Sequence, residues 1–232
     1  MMHSLPAGYR ALVIGGSGAI GSALMQQLQN DPRCELALGV SRQSSPGLDL
    51  LNEASIAACA QSLTAQGPFH LVLDATGALT LNGRGPEKRL DELDAAHLLA
   101  ALQLNAVGPG LLLKHFVPLL APGQRVIWGK LSARVGSIED NRKGGWYGYR
   151  AAKAALNMLL QTATIELTRR RPLAVVAALQ PGTVQSALSQ PFVGGDAMRP
   201  EEAAQRLLHV LDALQPTGRA QFVDHQGQHI PW

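Results

Sequence analysis

Apolar residues in this chain occur in two patterns: short continuous runs, and longer stretches in which they recur every three or four positions. A continuous run predicts a strand buried on both faces of a sheet, and the three-and-four spacing predicts a helix with one apolar side. The runs that predict strands are residues 10–16, 34–40, 69–77, 124–130, 172–180 and 220–224. The stretches that predict helices are residues 19–30, 90–120, 147–169 and 201–214, and a break in the second of them is expected near Asn105–Gly110. Residues 49–65 predict a short extended piece and then a helix, with Asn52 as its candidate N-cap.

Strands and helices alternate along the chain, which is typical of a parallel sheet covered by helices on both faces. We therefore predict an α/β protein with a single-domain, doubly wound Rossmann fold and a mainly parallel sheet over residues 1–232. In such folds, ligands bind beyond the carboxyl ends of the strands. The residues predicted at those ends are Gly15, Ser41, Gly77, Lys130 and Pro181.

Composition narrows the classes of protein that fit this pattern. The chain is 46% hydrophobic and 16% charged with a net charge of +3, which is typical of a folded globule and not of a disordered chain. The one basic run, residues 169–171, falls at a predicted helix end, where cations are stabilising. No aromatic-lined basic groove accompanies it, so we expect no nucleic-acid partner. Cys34 and Cys59 are too few for a disulfide framework or a zinc site, and we expect no metal and a reducing cytoplasm.

Neither the N-terminal segment nor the most apolar stretch of the sequence suggests a membrane protein. Residues 1–10 lack the basic and apolar regions of a secretory signal. The most apolar stretch, residues 98–120, is interrupted by polar residues and proline, so we interpret it as a core helix that is too polar to span a bilayer. The interrupting residues are Gln103, Asn105, Pro109, Lys114 and His115. We therefore expect a cytoplasmic protein without a membrane partner.

A glycine-rich segment, IGGSGAIG at residues 14–21, follows the first predicted strand and opens a helix. Its glycines match the dinucleotide fingerprint, which lets the backbone approach a pyrophosphate at the helix N-terminus. That fingerprint expects an acid after the second strand to bind the ribose hydroxyls. Here Ser41 and Arg42 stand instead, and a hydroxyl and a cation suit a 2′-phosphate. We predict NADP(H), with NAD less favoured; the alternative for Arg42 is a solvated loop charge.

The segment WYGYRAAKAAL, residues 146–156, carries a second candidate chemistry. Tyr149 and Lys153 are four residues apart on a predicted helix, so their side chains are neighbours, whereas Tyr147 is turned away from the lysine. An ammonium beside a phenol lowers the pKa of the phenol and suits it for proton transfer. The alternative is an ordinary helix start with a surface lysine.

With both motifs in place, nearly the whole chain resembles the short-chain dehydrogenase/reductase family. IGGSGAIG resembles the family's TGxxxGxG, with Gly15 and Gly21 matching and Ile14 and Ala19 departing from it. LDATG resembles the NNAG segment, LNAVGP carries the matching Asn105, QPGTV resembles the family's PG turn, and LDLLNEASI resembles the segment that meets the adenine. The segments SARVGSI, GGWYGYRAAKAALNM and GQHIPW resemble a C-factor-like subgroup in particular.

The resemblance implies a role for each matching residue. Tyr149 would donate a proton to a carbonyl, Lys153 would hold the nicotinamide ribose and depress the pKa of the tyrosine, and Asn105 would anchor a proton-relaying water. Tyr147 has no counterpart in the motif, and we assign it to the pocket wall or to packing, of which we favour packing. The implied cofactor-binding residues are Gly15, Ser17, Ala19, Ile20, Gly21, Ser41, Arg42, Asp49, Leu50, Ala75, Thr76, Gly77, Tyr149, Lys153, Pro181, Gly182 and Val184.

One position departs from the family pattern. The family carries Ser-Ser-x-x-Gly after the fifth strand, and its second serine is catalytic. Aligned on Gly136, that second position is Ala133, which has no hydroxyl to donate. Ser132 could take the role, Ser137 could reach in from the loop, or the role could be vacant. We favour Ser132 because it is nearest the strand end; the alternative is a loop serine that bonds backbone groups.

The resemblance predicts an NADP(H)-dependent oxidoreductase that interconverts a carbonyl and an alcohol on a small molecule. The alternative is a dinucleotide-binding signalling or regulatory protein, like the C-factor, with little turnover. Residues 186–200, with few charges and Gly194-Gly195, would cover a moderately apolar substrate. The family usually pairs its long helices, here around residues 106–120 and 147–169, so we expect a homodimer or homotetramer.

Overall fold

A computed structural model of the protein describes residues 1–186 and 197–232. Its centre is a six-stranded sheet in the order β2-β1-β3-β4-β5-β6, and every neighbouring pair is parallel. The strands are β1 Tyr9–Ile14, β2 Cys34–Val40, β3 Leu71–Asp74, β4 Val126–Leu131, β5 Ala174–Gln180 and β6 Gln221–Asp224. All six predicted strands are present, and the predicted doubly wound α/β fold is confirmed.

Helices connect the strands and cover both faces of the sheet. They are α1 Ala19–Gln29, α2 Glu53–Ser62, α3 Ala95–Leu102, α4 Gly108–Phe116, α5 Tyr147–Arg170 and α6 Pro200–Ala213. The predicted N-cap of α2 is confirmed, because Asn52 Oδ1 accepts hydrogen bonds from the N–H groups of Ala54 and Ser55. The extended piece expected near residue 49 is not a strand, since Asp49 Oδ1 accepts a hydrogen bond from Leu51 N and closes a turn there.

Side chains that alternate along each strand divide between two apolar cores. On one face, Leu12, Val72 and Trp128 pack with residues of α4 and α5, among them Phe116 and Leu156. On the other face, the intervening residues of the same strands pack against α1 and α6; this second core includes Val13, Leu73, Ile127, Leu24, Leu207 and Leu211. This two-sided burial is the reason why the strands have continuous apolar sequences.

The long helix predicted over residues 90–120 begins at α3 and does not break at Asn105. A π-helical turn, Gln103–Val107, joins α3 to α4, and Asn105 lies in it fully buried. By length and composition alone, the segment Ala95–Leu119 is apolar enough to cross a membrane, so the expectation that it is too polar was wrong. In the fold, Leu112 and Phe116 of this segment lie in the core against the sheet, as expected of a core helix.

Candidate functional site

The glycine turn after β1 has a conformation that only glycine fits. Gly15 has φ +84°, and a Cβ atom there would lie 3.1 Å from Cγ2 of Thr76. A Cβ atom on Gly21 would lie 2.1 Å from the carbonyl oxygen of Gly15, so α1 could not approach the turn with any larger residue. The turn therefore brings the N-terminus of α1 and the segment after β3 together at the carboxyl edge of the sheet.

The N-terminus of α1 suits the predicted pyrophosphate. The helix follows Gly18, which has no side chain to cap it, and its first turn contains no acidic residue. Ala19 and Ile20, two of the predicted cofactor residues, form this first turn. Backbone N–H groups and the positive end of the helix dipole thus point into the region that the fingerprint assigns to phosphate.

A small polar cluster joins the glycine turn to the end of β2. The hydroxyls of Ser17 and Ser41 donate to Oε1 of Gln43 at 3.2 and 3.1 Å. Arg42, which lies between Ser41 and Gln43 in the sequence, is exposed. The structure therefore brings Ser17 and Ser41 to one place, next to the backbone of Arg42, and binding of a 2′-phosphate by these residues stays a prediction. Sequence reasoning missed Gln43, whose only signal was its position two residues after Ser41.

The two residues predicted to meet the adenine differ in exposure. Asp49 is exposed, with one carboxylate oxygen accepting from the backbone of Leu51. Leu50 is 8% exposed and packs over Gly108 of α4, where a Cβ atom would lie 3.0 Å from the Cβ atom of Leu50. Adenine binding by this pair stays a prediction.

Tyr149 and Lys153 are neighbours on α5, as their spacing predicts. Lys153 Nζ lies 5.5 Å from the centroid of the Tyr149 ring, and the Trp146 ring meets that ring edge-on at a centroid distance of 6.2 Å. Lys153 is 2% exposed, and its ammonium donates to the carbonyl of Leu131 at 3.1 Å. Tyr147, the first residue of α5, is partly buried.

The protonation of this pair differs from the prediction. Burial raises the pKa of Tyr149 to about 12, opposite in direction to the depression expected from the lysine. Burial, followed by repulsion from Lys130, lowers the pKa of Lys153 to about 7, and the attraction of Asp74 opposes this shift. The two shifts share a cause, because burial disfavours the charged form of a group, whether it is a phenolate or an ammonium.

A second buried lysine lies beside the first, and sequence reasoning noted it only as a strand-end marker. Lys130 Nζ is 2.9 Å from Asp74 Oδ1, and both side chains are 1% exposed. The same ammonium donates to the carbonyl oxygen and hydroxyl of Thr76 at 2.7 and 3.0 Å. Thr76 is a predicted cofactor residue, so this ion pair fixes the segment that contains it.

Asn105 is brought to the same place from the π turn. Its amide accepts from Ala78 N and donates to Ala78 O, both at 3.0 Å, and it also donates to the carbonyl of Ala101. Gly77 has φ +142°, and a Cβ atom there would lie 3.1 Å from Asn105 Oδ1 and 3.5 Å from Lys153 Nζ. Asn105, the segment from Ala75 to Gly77 and Lys153 therefore meet around one glycine.

The two serines considered for the missing catalytic hydroxyl have partners elsewhere. Ser132 is 4% exposed and donates to Asn157 Oδ1 at 2.7 Å. Ser137 is 2% exposed; its oxygen accepts from Asp140 N at 3.0 Å and lies 3.5 Å from the carbonyl oxygen of Trp232. Ala133 is partly exposed between them. The catalytic role of Ser132 stays a prediction, and its observed partner is a structural one.

The turn after β5 also lies at this edge of the sheet. Gly182 has φ +82°, and a Cβ atom there would lie 3.2 Å from the His225 ring, which sequence reasoning did not place near the site. Pro181 precedes this turn partly buried, and Val184 is buried and bridges to Met198. The predicted substrate loop, residues 186–200, lies for the most part outside the described residues.

A buried carboxylate caps the helix that carries Tyr149. Glu87 is 2% exposed and accepts a hydrogen bond from Gly148 N at 3.0 Å, while its backbone carbonyl accepts one from Trp146 N. His97 Nε2 lies 3.9 Å from the other carboxylate oxygen. The cap comes from a loop 61 residues earlier in the chain, so no local capping motif could have predicted it.

Metal chemistry receives no support from the described part of the chain. Residues 1–186 and 197–232 contain no cluster of three or more His, Cys, Asp or Glu side chains that could hold a metal ion. Within the same ranges Cys34 and Cys59 are both free, and burial raises the pKa of each thiol.

The fold is a parallel doubly wound sheet with a glycine turn at its first crossover and a Tyr-Lys pair at its carboxyl edge. Together these features define a class of dinucleotide-binding oxidoreductases. Sequence comparison makes the assignment specific. C-signal from Myxococcus xanthus is 34% identical over 145 residues, which are 62% of this chain and 83% of that protein. The 1-hydroxy-2-glutathionyl-2-methyl-3-butene dehydrogenase of Rhodococcus sp. (strain AD45) is 29% identical over 234 residues, 95% of this chain and 98% of that protein. The chain belongs to the short-chain dehydrogenase/reductase family.

Solved structures of this fold agree in shape at low sequence identity. The NADPH-bound carbonyl reductase from chicken fatty liver matches with a TM-score of 0.83 and 20% identity, over 99% of this chain and 97% of that chain. A short-chain dehydrogenase/reductase from Burkholderia multivorans with bound NADP matches with a TM-score of 0.81 and 21% identity, over 97% and 99%. No family model matches the chain.

Proposed function

We propose that the protein is an NADP(H)-dependent oxidoreductase that interconverts a carbonyl and an alcohol on a small molecule, with Tyr149 as the general acid and base. The observation that carries this proposal is the meeting of Tyr149, Lys153 and Gly77 beside the glycine turn at the carboxyl edge of the sheet. A binding site alone has no chemical need for a phenol held beside a buried ammonium.

The residues of the glycine turn fit the phosphates of the cofactor. Gly15 and Gly21 lie too close to neighbouring atoms to be replaced by larger residues, and no side chain caps the start of α1. The backbone N–H groups there are therefore available to bind a pyrophosphate. Ser17, Ser41 and Arg42 would hold the 2′-phosphate, which favours NADP(H) over NAD(H). Two of the structural neighbours described above hold bound NADP or NADPH, which supports the same choice. When bound, the cofactor would supply or accept the hydride.

Residues of α5 would donate the proton to the substrate and accept it back in the reverse direction. Because the pKa of Tyr149 is raised to about 12, its hydroxyl carries a proton at neutral pH and can donate it to the oxygen of a carbonyl undergoing reduction. In the reverse direction the same oxygen would accept the proton of the alcohol. Lys153 would hold the ribose beside the tyrosine. Asn105 would anchor a proton-relaying water at its backbone carbonyl. In a regular α-helix that carbonyl would accept from the N–H four residues later, but that residue is Pro109, which has no N–H.

The regulatory alternative rests on two observations. C-signal is 34% identical over most of its length, and Ala133 stands where the family pattern has a catalytic hydroxyl. A protein of this kind would bind the dinucleotide with little turnover.

Assembly and location complete the proposal. Exposed apolar side chains, Val107 at 50%, Met158 at 66% and Ile165 at 44%, support pairing of the long helices in a homodimer or homotetramer. The protein would act in the cytoplasm on a soluble small molecule.

The test is NADPH consumption against a panel of aldehydes and ketones with three proteins. Tyr149→Phe is expected to lower turnover by about 10²–10⁴-fold, the usual worth of a general acid, while still binding NADPH. Tyr147→Phe is the matched control two residues away and is expected to keep wild-type turnover. Wild type that binds NADPH but reduces no carbonyl would favour the regulatory alternative, and greater damage from Tyr147→Phe would contradict the assignment of Tyr149.

A further inference from the structure

The ion pair between Lys130 and Asp74 is the least solvent-exposed pair of opposite charges at the site. Its Nζ–Oδ1 distance is 2.9 Å, and both side chains are 1% exposed. Asp74 Oδ1 also accepts from the hydroxyl and N–H of Thr76 at 2.5 and 3.0 Å. Two charges removed from water in this way are costly to bury, and a well-packed apolar pair of the same size would often be as stable. Stability alone therefore gives little reason for the pair.

The pair is connected to the Tyr149–Lys153 site by two short routes. Lys130 Nζ donates to both oxygens of Thr76, and Thr76 precedes Gly77, whose Cβ position lies 3.5 Å from Lys153 Nζ. Along β4, Lys130 is followed by Leu131, whose carbonyl accepts the hydrogen bond from Lys153. The two ammonium groups thus bond to neighbouring backbone segments, and Lys130 and Lys153 are 1% and 2% exposed.

We propose that Lys130 is a positioning residue of this site: anchored by Asp74, it holds the segment from Ala75 to Gly77 in place and, as a second buried ammonium, opposes the charging of Lys153. This inference rests on the proposed function for its catalytic consequence, although its electrostatic part concerns the folded protein alone.

The charged groups around Lys153 come from several elements. Lys130 on β4 repels its charge, Asp74 on β3 attracts it, and Tyr149 lies on its own helix. The π turn contributes the neutral Asn105. Two further charged or titratable groups lie on elements packed against α5, and each has a partner of its own. Arg134, in the turn after β4, pairs with Asp140 and Asp224, and His97 of α3 faces Glu87.

This arrangement makes Lys153 sensitive to pH in the working range. Its pKa of about 7 in the folded protein lies below the usual value of 10.5, mainly because of burial and then because of Lys130. Burial lowers the pKa of Lys130 as well. Between the folded and unfolded pKa values of Lys153 the unfolded chain binds more protons, so Lys153 makes the free energy of unfolding rise as pH increases from 7 toward 10.

The test removes the charge of Lys130 in two ways. In Lys130→Met, which keeps Asp74, the pKa of Lys153 is expected to move upward by about one unit, the size typical of one nearby charge. Urea unfolding from pH 6 to 9 should then show the rise in unfolding free energy beginning about one unit later than in wild type, and the inflection of kcat/KM against pH should move by the same amount. In Asp74→Asn/Lys130→Gln, which keeps the hydrogen-bonding groups, both profiles should move in the same direction but by less, because the lost attraction of Asp74 offsets part of the lost repulsion.

An exposed ion pair provides the matched control. Glu202 and Arg206 are 2.7 Å apart with 41% of each side chain exposed, and Glu202→Gln/Arg206→Gln should leave both profiles unchanged. A shifted stability profile with no wild-type turnover would uphold the electrostatic role while overturning the proposed function. Unshifted profiles in the folded Lys130 variants, or failure of both to fold, would overturn the positioning role and leave the pair a purely structural one.

Discussion

Ser132 donates its hydroxyl hydrogen to Asn157 Oδ1, and both side chains are almost completely buried. Removing the hydroxyl leaves a buried acceptor without its donor, which costs about 1–3 kcal/mol. If Ser132 has only this structural role, Ser132→Ala should lower the free energy of unfolding by that amount and leave kcat nearly unchanged at a temperature where the variant is folded. Urea unfolding and steady-state turnover measure the two effects.

The catalytic role predicted for Ser132 would give a different result. A donor that stabilises developing charge is worth about 10²–10³ in kcat, so a loss of that size with unchanged NADPH affinity would restore the prediction. Ser137→Ala is the control, because Ser137 bonds within its own loop and with the backbone at Trp232. It should change turnover little.

Single residues differ in how well the sequence predicted them. Tyr149 and Lys153 were predictable because helical spacing alone makes them neighbours. The pair of Lys130 and Asp74 was not, since 56 residues separate the two positions and only the parallel pairing of β3 with β4 sets them side by side. The protonation of Lys153 was also hidden, because its pKa depends on burial that spacing does not report.

At the scale of elements, the start of α5 depends on a residue from another part of the chain. Glu87 accepts from Gly148 N in the first turn, one residue before Tyr149. Glu87→Ala should lower the free energy of unfolding by about 0.5–2 kcal/mol, as the loss of a helix cap does, and should also lower kcat because Tyr149 loses a fixed helix start. Glu87→Gln retains an acceptor and should be milder in both measurements.

Asn52→Ala separates helix capping in general from capping of this helix. Asn52 caps α2 by accepting from two backbone N–H groups, so its loss should cost similar stability with unchanged kcat. Equal effects of Glu87→Ala and Asn52→Ala on kcat would show that the cap on α5 has no particular bearing on the tyrosine.

The bounds of most elements followed from periodicity, and the exceptions have physical causes. The residue-49 segment was expected to be extended but forms a turn, since the Asp49 side chain bonds the backbone two residues on. The helix break expected near Asn105 is a π turn instead, because Pro109 lies in the first turn of α4, where a missing N–H is tolerated. Both outcomes depend on side-chain hydrogen bonds and helix register, which hydropathy patterns do not encode.

At the scale of the whole molecule, a cofactor that binds only the folded state stabilises every element together. NADP⁺ at one hundred times its dissociation constant should raise the free energy of unfolding by about 2.7 kcal/mol. NAD⁺ at the same concentration should raise it less, because it lacks the phosphate that Ser41 and Arg42 would hold. Thermal unfolding with each nucleotide measures the difference.

Arg42→Ala provides the matched comparison for this preference. Losing a charge-assisted hydrogen bond should weaken NADP⁺ binding by roughly 1.5–3 kcal/mol and leave NAD⁺ binding unchanged. Equal stabilisation of the wild type by the two nucleotides would contradict the proposed NADP(H) preference. The overall fold was predictable from the alternation of strands and helices, whereas this preference depends on a polar cluster that includes the unforeseen Gln43.

The π turn at Gln103–Val107 has a consequence for the length of the chain. A π turn holds one residue more than an α-helical turn, so a helix one residue shorter could run from α3 to α4 as a regular helix with both ends still packed where they are. The packing of Ala101 and Leu112 thus does not require the extra residue. What would be lost is the position of Asn105 opposite Ala78. The extra residue is therefore not required by the packing of the two helices, and its observed effect is to place Asn105 against Ala78 at the site.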